Sequence, residues 1–401
     1  MIIESIFWLS FATLIYAYAG FSLLVIIIGR WRQRRVRQAP MTPRMSLIIP
    51  VWNEANTIAS RLDNALSLDY PAEALEIIVA SDGADDGTEA IVASYADRGV
   101  RLLSLPRRGK IYALKAAAAR ATGEIFVFSD ANSIYAPAAL RMLARNFADP
   151  EVGGVCGNQI YLKTKSADHC SKGETLYWSY DKWLKRLESL TGSIVSAHGA
   201  IYAIRRELYR PPTSAAVTDD FAISTAVVEQ GYRLVFESEA VAYEEPAPAA
   251  NREFARKVRI MNRGLRGVML RKALLNPWRH GFYAVELFSH KVLRRLVPFF
   301  LLSLYVSSVI LSSNGRFYFT AALGQTFFYA LAGAGYLLRR HRLGRLKGFY
   351  LPFFYCLANA AALLAVVKLI GGRRIELWQP QRQMLPNVRH KMTQSLRSNF
   401  S

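Results

Sequence analysis

Apolar and polar positions divide the chain into long apolar blocks near its two ends and a middle region of short apolar runs. Residues 7–28 carry no charge, and roughly 20 apolar residues are enough to cross a bilayer as a helix. Three more apolar stretches follow the middle region, at 296–311, 317–338 and 349–370. The pattern predicts four membrane spans, of which 296–311 is the weakest because it is short and follows basic residues.

A secretory signal is the competing interpretation of residues 7–28. That stretch has no basic residue before it, is too long for a signal core, and lacks a small-residue cleavage site after it. A membrane span is therefore favoured.

The middle region, 44–243, alternates short apolar runs with stretches of helical periodicity. Four runs are typical of strands: MSLIIPV, LEIIVASD, VRLLSL and GEIFVFSD. Between them, ANTIASRLDNALSL and GTEAIVASYA carry apolar residues at helical spacing, and Tyr70 with Pro71 ends the first helix. This alternation predicts βα units around a mostly parallel sheet.

Acidic residues gather at the ends of these runs, within 82–88, 130–132 and 218–221. Each group alone has a structural explanation, as a turn, a helix cap or a surface pair. In open α/β sheets, however, ligands bind beyond the carboxyl ends of the strands. Occurring in order on a basic chain, the three groups predict one cleft for a metal-bound nucleotide.

Positive charge dominates the chain, with 51 Lys and Arg against 30 Asp and Glu and a formal net charge of +21. One cluster directly follows 7–28 and consists of Arg30, Arg32, Arg34, Arg35 and Arg37. The positive-inside rule keeps this cluster in the cytoplasm, which places the amino terminus outside and the middle region inside. The charge suits an anionic membrane surface and a polyphosphate ligand. Nucleic-acid binding is the weaker alternative because the basic residues lie beside the spans.

The carboxyl-terminal tail conflicts with this topology, since four spans would place it outside. It contains Arg373, Arg374, Arg382, Arg389, Lys391 and Arg397. Either one apolar stretch does not cross or the rule is broken, so the side of the tail stays open.

The three cysteines, Cys156, Cys170 and Cys356, form no CxxC pair and no metal-ligand spacing. Zinc is therefore not predicted, and reduced thiols are expected.

Five motifs in order resemble those of the family 2 glycosyltransferases that use nucleotide-diphospho-sugars. They are Pro50-Val51-Trp52-Asn53-Glu54, Asp82-Gly83 with Asp85-Asp86-Gly87-Thr88, Gly109-Lys110, Asp130-Ala131-Asn132 and Asp219-Asp220-Phe221. The flanking spans are similar to those of the membrane branch that includes cellulose, chitin and hyaluronan synthases. The resemblance implies an α/β GT-A fold, Rossmann-like with a mostly parallel sheet, as a cytoplasmic domain with flanking transmembrane α-helices.

The resemblance also implies roles for individual residues. Glu54 and Asp82 would contact the base and ribose of a UDP-sugar, and Asp130 with Asn132 would hold Mg²⁺ or Mn²⁺ against the diphosphate. Asn132 departs from the family's second Asp and would supply a neutral oxygen. The implied nucleotide-sugar-binding set is Pro50, Asn53, Glu54, Asp82, Gly83, Asp85, Lys110, Asp130, Asn132, Arg263 and Arg266.

Catalysis is assigned by the same resemblance to Asp220, as the general base that deprotonates an acceptor hydroxyl, with Asp219 beside it. In-line attack on the sugar then implies an inverting single displacement. Arg263 and Arg266 have the spacing of the family's QxxRW motif, but Arg replaces Gln and Gly267 replaces Trp. A membrane-interfacial helix is the alternative interpretation of this basic segment.

Acceptor contacts are assigned to His198, Trp178 and Trp183. A structural histidine and core packing on one helix face are the respective alternatives. The predicted segments are an N-terminal transmembrane helix (1–29), a basic linker (30–43), the GT-A domain (44–250), interfacial amphipathic helices (251–295), carboxyl-terminal transmembrane helices (296–370) and a basic tail (371–401).

The predicted protein is an inverting, metal-dependent glycosyltransferase, multi-pass in a bacterial-type inner membrane with its catalytic domain cytoplasmic. The expected donor is a UDP-hexose or UDP-N-acetylhexosamine, and the acceptor is a lipid-linked sugar or a polysaccharide. Membrane lipid and other polysaccharide-assembly proteins are candidate partners. A compact processive synthase is the alternative within the class, and a nucleotide-binding membrane scaffold is the alternative outside it.

Overall fold

The fold is that of a computed structural model of the chain. It describes residues 1–162, 170–214, 216–244, 250–339, 341 and 343–372, without the side chains of 170–178, 250–253 and 345. The Trp178 side chain and all six basic residues of the predicted tail lie outside this described part.

The sheet is built from the strands β1 (Met45–Val51), β2 (Leu75–Asp82), β3 (Val100–Leu105), β4 (Ile125–Phe128), β5 (Ile134–Tyr135), β6 (Val152–Tyr161), β7 (Tyr202–Arg205) and β8 (Arg233–Glu244). Their order across the sheet is β3-β2-β1-β4-β7-β6-β8-β5. β1 pairs in parallel with β2 and β4, and β2 pairs in parallel with β3. β7 runs antiparallel between β4 and β6. The four predicted strands and the mostly parallel sheet are confirmed.

The helices are α1 (Ile2–Ile15), α2 (Phe21–Arg32), α3 (Ile58–Leu66), α4 (Thr88–Ala93), α5 (Lys110–Arg120), α6 (Ala139–Ala144), α7 (Cys170–Thr191), α8 (Asp219–Glu229), α9 (Ala250–Leu270), α10 (Pro277–His280), α11 (Phe282–Leu287), α12 (Arg294–Ile310), α13 (Arg316–Leu337) and α14 (Lys347–Ile370). Side chains alternate between the two faces of a strand, so β1 buries Leu47 and Ile49 on one face and Ile48 on the other. α3 and α6 cover the first face, while α5 and α8 cover the second. The sheet is therefore buried on both sides, and ligands reach it only at its edges.

The membrane helices differ from the prediction in number and in one boundary. Within the described residues, three helices are long and apolar enough to cross a membrane: Ile2–Arg32, Phe282–Ile310 and Lys347–Ile370. The second begins at Phe282 rather than near 296, because a π-helical turn, Phe288–Leu293, joins α11 to α12. The predicted span 317–338 is the helix α13, in which Gln325, three glycines and several tyrosines lower the mean hydropathy. Among the described helices, three rather than the predicted four are therefore long and apolar enough to cross a membrane.

The basic amphipathic segment starts as α9, which packs inside the protein on two sides. Gly267 lies against the ring of Phe221 in α8. On another side, Asn262 donates a hydrogen bond from Nδ2 to the carbonyl oxygen of Ala365 in α14, at 3.0 Å. α9 thus links the α/β domain to α14, one of the candidate membrane spans, and an interfacial position of 251–295 stays a prediction.

Candidate active site

The predicted site residues converge at the carboxyl ends of β1, β2 and β4. Pro50 is buried in β1, where it is paired with Ala80 of β2. Asp82 ends β2, and Asp130 follows β4 by two residues. Because these three strands are parallel neighbours, their ends meet at one edge of the sheet.

Asp82 anchors the loop that leads into α5. Its carboxylate is fully buried, accepts backbone hydrogen bonds from Arg108 and Gly109 at 2.8 Å, and forms an ion pair with Arg107. Gly83 has φ +67°, and a Cβ there would lie 2.8 Å from the backbone nitrogen of Arg107, so this close approach needs glycine. A direct contact between Asp82 and a nucleotide would require this loop to open, and that role stays a prediction.

The remaining residues of the 82–88 run join the end of β1 to α4. Asn53 and Asp85 form two hydrogen bonds with each other. Nδ2 of Asn53 donates to Oδ1 of Asp85 at 2.7 Å, and the backbone N–H of Asp85 donates to Oδ1 of Asn53 at 3.1 Å. Asp86 accepts from the backbone N–H groups of Ala55 and Thr88, both at 3.0 Å. The turn and cap interpretation therefore accounts for Asp86.

Glu54 lies at the same junction, after the end of β1. Its backbone N–H donates to the Thr88 hydroxyl at 2.9 Å, and its Oε2 accepts from Thr57 at 2.8 Å. Contacts of Asn53, Glu54 and Asp85 with a nucleotide stay predictions.

Arg107 and Arg108 precede Lys110, and the family resemblance places these three basic residues near the diphosphate. The guanidinium carbon of Arg107 lies 3.7 Å from the ring centroid of Trp52, while one of its nitrogens pairs with Asp82. This stack connects the residue that follows β1 to the carboxyl end of β2. Trp52 in the first motif is a candidate partner for a stacked cation. The spacing along the sequence does not identify which cation stacks on it.

Lys110 connects two of the predicted acidic groups. Its Nζ lies 2.8 Å from Oδ1 of Asp130 and 2.9 Å from Oδ2 of Asp219, and its side chain is 14% exposed. Burial opposes the ammonium charge, but the two carboxylates outweigh it and raise the pKa of Lys110. The predicted metal-binding motif and the predicted general-base motif, 89 positions apart in the chain from Asp130 to Asp219, therefore share one ion-pair partner.

Asp219 and Asp220 form the first turn of α8, where the helix dipole favours negative charge. Burial raises the pKa of Asp220, the charge of Asp219 raises it further, and Lys110 and the Phe221 N–H oppose the shift. The net result is a carboxylate with a higher proton affinity than usual. Such a group is a better general base than an ordinary exposed Asp.

Tyr202 was not predicted as a site residue. It stacks on Phe128 with ring centroids 4.9 Å apart. Its hydroxyl is buried and has no hydrogen-bond partner among the described residues. Burial, followed by the charges of Asp219 and Asp220, raises the pKa of Tyr202. The phenol therefore stays protonated and is a candidate donor to a ligand. The segment 197–202 resembles the acceptor-side loop of family 2 glycosyltransferases, but that resemblance does not single out Tyr202.

His198 and Gly199 border the metal-binding motif. The Nε2 atom of His198 is 2.9 Å from the carbonyl oxygen of Gly157, which accounts for one ring nitrogen, and Nδ1 is buried without a described partner. Burial lowers the pKa of His198 to about 3, so the ring is neutral. A Cβ on Gly199 would lie 3.0 Å from Oδ2 of Asp130. Gly199 therefore lies against that carboxylate, which would have to move to accommodate a larger residue.

These surroundings fit a divalent cation that takes most of its ligands from a diphosphate. Asp130 is 34% exposed, and Asn132 has a buried amide nitrogen without a partner among the described residues. Outside the undescribed segments, no group of three or more His, Cys, Asp or Glu could form a complete protein cage. One carboxylate and one amide are enough for a cation that is shared with phosphate oxygens.

Replacing Gly199 with Ala is expected to weaken metal-dependent donor binding by about 10–100-fold, because the added methyl group displaces the Asp130 carboxylate. Isothermal titration of donor in the presence of Mn²⁺ measures this effect. Gly264→Ala is the matched control, since a Cβ at Gly264 meets nothing within 4 Å. Equal affinities for both variants would contradict a cation site at Asp130.

Arg263 contacts the loop that precedes α8. Its Nε donates to the carbonyl oxygen of Val217 at 3.1 Å, two residues before Asp219. Arg266 donates to Asn262 at 3.1 Å within α9. At Gly267, a Cβ would lie 2.6 Å from the ring of Phe221, so the packing of α9 on α8 leaves no room for the family's Trp. Diphosphate binding by Arg263 and Arg266 stays a prediction.

The two tryptophans assigned to the acceptor lie on α7. Trp183 is 40% exposed and lies beside Tyr180, with ring centroids 5.8 Å apart. Trp183 is therefore accessible and not a core residue. An acceptor contact by either tryptophan stays a prediction.

Comparison with known proteins identifies the same region of the chain as the motifs do. Residues 46–211 match the family described as Glycosyl transferase family 2. The chain carries a family 2 glycosyltransferase domain. The match begins in β1 and ends shortly before α8, so it includes Asp82, Lys110 and Asp130.

Relatives of the glycosyltransferase domain include poly-beta-1,6-N-acetyl-D-glucosamine synthases of Staphylococcus epidermidis and Staphylococcus aureus. Each is 27% identical over 206 residues, which is 50% of this chain and 49% of the relative. The chain thus spans about half the length of the curated relatives it matches.

A solved structure extends the similarity to nearly the whole chain. The mannosyltransferase PcManGT from Pyrobaculum calidifontis, in complex with GDP-Man and Mn²⁺, matches with a TM-score of 0.66 and 24% identity. The match covers 93% of this chain and 100% of that chain. The GT-A fold of the glycosyltransferase domain is confirmed.

Proposed function

We propose that the protein is an inverting, metal-dependent glycosyltransferase that transfers a sugar from a nucleotide-diphospho-sugar to an acceptor at the cytoplasmic face of a membrane. The observation that carries the proposal is the bridge of Lys110 between Asp130 and Asp219, with Asp220 next in the chain. A binding scaffold needs no raised-pKa carboxylate beside its phosphate site. A transferase needs a general base close to the leaving diphosphate.

The residues divide the work of the reaction. Asp220 accepts the proton of the acceptor hydroxyl as that oxygen attacks the anomeric carbon of the donor. Lys110 neutralises Asp219 and Asp130, which keeps three neighbouring carboxylates from repelling the diphosphate. Asp130 and Asn132 would hold Mg²⁺ or Mn²⁺. The cation, when bound, neutralises the charge that develops on the departing diphosphate.

The donor class is proposed from the relatives and the site together. Synthases of poly-N-acetylglucosamine among the relatives favour a UDP-N-acetylhexosamine, with UDP-hexoses next. GDP-mannose is a third donor to test, because PcManGT is solved in complex with it. Lipid-linked sugar or polysaccharide is the proposed acceptor class.

The number of sugars added per acceptor depends on α9. The contact of Gly267 with Phe221 excludes the Trp that processive members place against the acceptor. This favours the addition of one or a few sugars. A compact processive synthase is the second candidate function, and the synthase names of the relatives favour it.

Contacts of α9 with α14 and with the loop before α8 support a proposal for the membrane topology. Ala365, near the carboxyl end of α14, contacts Asn262, and the next residue, Arg263, holds the loop before Asp219. We propose that the catalytic domain is cytoplasmic and that the chain beyond Gly372 stays on the same side, where its basic residues satisfy the positive-inside rule.

The proposed function predicts metal-dependent release of nucleoside diphosphate by the purified protein with lipid extract. EDTA or Asp130→Asn is expected to reduce the rate at least about 100-fold, because the cation contributes several kcal/mol to the transition state. UDP-N-acetylglucosamine, UDP-glucose and GDP-mannose form the donor panel. Asp63→Asn, which changes a carboxylate that is paired with Arg98 away from the site, is the control. Absence of release with every donor, unchanged by Asp130→Asn, would leave the scaffold as the function.

A further inference from the structure

The membrane helix Phe282–Ile310 carries polar side chains that are buried against the catalytic domain. Tyr283, Glu286 and His290 are 6%, 1% and 4% exposed. Ionisable residues at the start of a membrane helix are costly to bury and usually serve a specific purpose. His290 also lies in the π-helical turn Phe288–Leu293, a feature that is frequent at functional positions.

These side chains contact the carboxyl end of α7. Glu286 accepts a hydrogen bond from the Thr191 hydroxyl at 2.6 Å. His290 Nδ1 lies 3.1 Å from Oε1 of Glu188, which is fully buried. A buried Glu that pairs with a His of another element fixes both elements, because separating them would leave an unpaired charge in the interior.

Both backbone polar groups of Val195 are held from this interface. Glu188 accepts the Val195 N–H at its Oε2, at 3.3 Å, while its other oxygen faces His290. The Tyr283 hydroxyl donates to the carbonyl oxygen of Val195 at 2.9 Å. Tyr283 contacts Val195 directly, whereas His290 is connected to Val195 through Glu188. Both contacts therefore connect Val195 to the same membrane helix.

Four residues further on, the chain reaches the active site. Ala197 donates its N–H to Ser224 of α8 at 3.0 Å, and α8 begins with Asp219 and Asp220. Gly199 lies against Asp130, so close that a Cβ would be 3.0 Å from the carboxylate. The first half of segment 193–199 is therefore held by the membrane helix at Val195 and by Leu234 of β8 at residues 193 and 194. Its second half lies beside the predicted metal-binding and general-base residues.

We infer that Tyr283 and the Glu188–His290 pair are positioning residues of the transferase. They hold segment 193–199 at a fixed distance from Asp130 and α8, so that the acceptor side of the site is set by the membrane helix. The inference rests on the proposed function for its catalytic consequence. The mechanical part, the restraint of segment 193–199, is independent of any substrate.

Tyr283→Phe tests the inference, because it removes one hydroxyl and leaves the ring in place. We expect amide hydrogen exchange of segment 193–199 to accelerate about tenfold, since the direct restraint from the membrane helix is lost. We also expect kcat to fall about tenfold or more while donor affinity stays within about twofold, because displacement of the acceptor side affects the reacting geometry and not donor binding. Tyr16→Phe is the matched control: it removes a 2.8 Å hydrogen bond to Ser289 of the same membrane helix but touches nothing in the segment.

The outcomes are distinguishable. Faster exchange and lower kcat in Tyr283→Phe, with neither in Tyr16→Phe, support positioning. Unchanged exchange in Tyr283→Phe, or a lower melting temperature in both variants with kcat preserved, overturns it. Should Tyr283→Phe not fold, Glu188→Gln is judged by the same readouts. If the wild type transfers no sugar, the proposed function has failed, and the exchange measurement alone decides whether the membrane helix restrains the segment.

Discussion

Asp220→Asn is expected to lower the transfer rate by about 10²–10⁴-fold, the range that a positioned general base contributes. The amide has nearly the shape of the carboxylate but cannot take the proton of the acceptor hydroxyl. Donor affinity should change only a few-fold, because Asp220 acts on the acceptor and not on the diphosphate. Single-turnover transfer with labelled donor, alongside equilibrium binding of the nucleoside diphosphate, measures the two effects separately.

Glu229→Gln is the matched control for Asp220→Asn. It makes the same chemical change at the carboxyl end of the same helix, where Glu229 pairs with Arg271. Its transfer rate should remain close to that of the wild type. Equal loss of donor binding and rate in Asp220→Asn would mean that this carboxylate holds the donor and that the base lies elsewhere.

Lys110→Met is expected to have the second large effect, because it removes the ion-pair partner that Asp130 and Asp219 share. The carboxylates would repel one another and the diphosphate, and we expect kcat/KM to fall by about 100-fold or more, as for other buried pairs broken from one side. Lys110→Arg keeps the charge and should retain more activity than Lys110→Met.

Lys110→Met is also expected to shift the pH dependence of kcat/KM. Asp220 must be deprotonated to act, so activity is lost as the pH falls through its pKa, which burial and Asp219 raise. Lys110 opposes that rise, so its removal raises the pKa further and moves the acid limb of the kcat/KM profile to higher pH. Profiles of wild type, Lys110→Met and Lys110→Arg measure the shift. Coincident acid limbs in all three would show that Lys110 does not act on Asp220.

The membrane segments show which features hydropathy alone predicts and which it does not. Composition alone predicted the amino-terminal span, because 22 uncharged residues in a row have one stable environment. It misplaced the start of the second span, since Glu286, His290 and Lys291 interrupt the apolar pattern. Those residues are tolerated in the helix because α7 supplies partners such as Glu188 and Thr191, which lie about 100 positions earlier in the chain. No local window contains that information.

The sequence by itself determined the sheet and the set of chemical groups at its edge. The strand segments are apolar on both faces and lead to Pro50, Asp82 and Asp130. Parallel strands bring their carboxyl ends together regardless of how the connecting loops fold. Only the tertiary structure decided what these groups contact. Asp82 turned inward onto residues 107–109, Lys110 bridged Asp130 and Asp219, and segment 193–199 was tied to a membrane helix. Side-chain partners across many residues depend on packing distances of a few ångströms, which spacing along the chain does not encode.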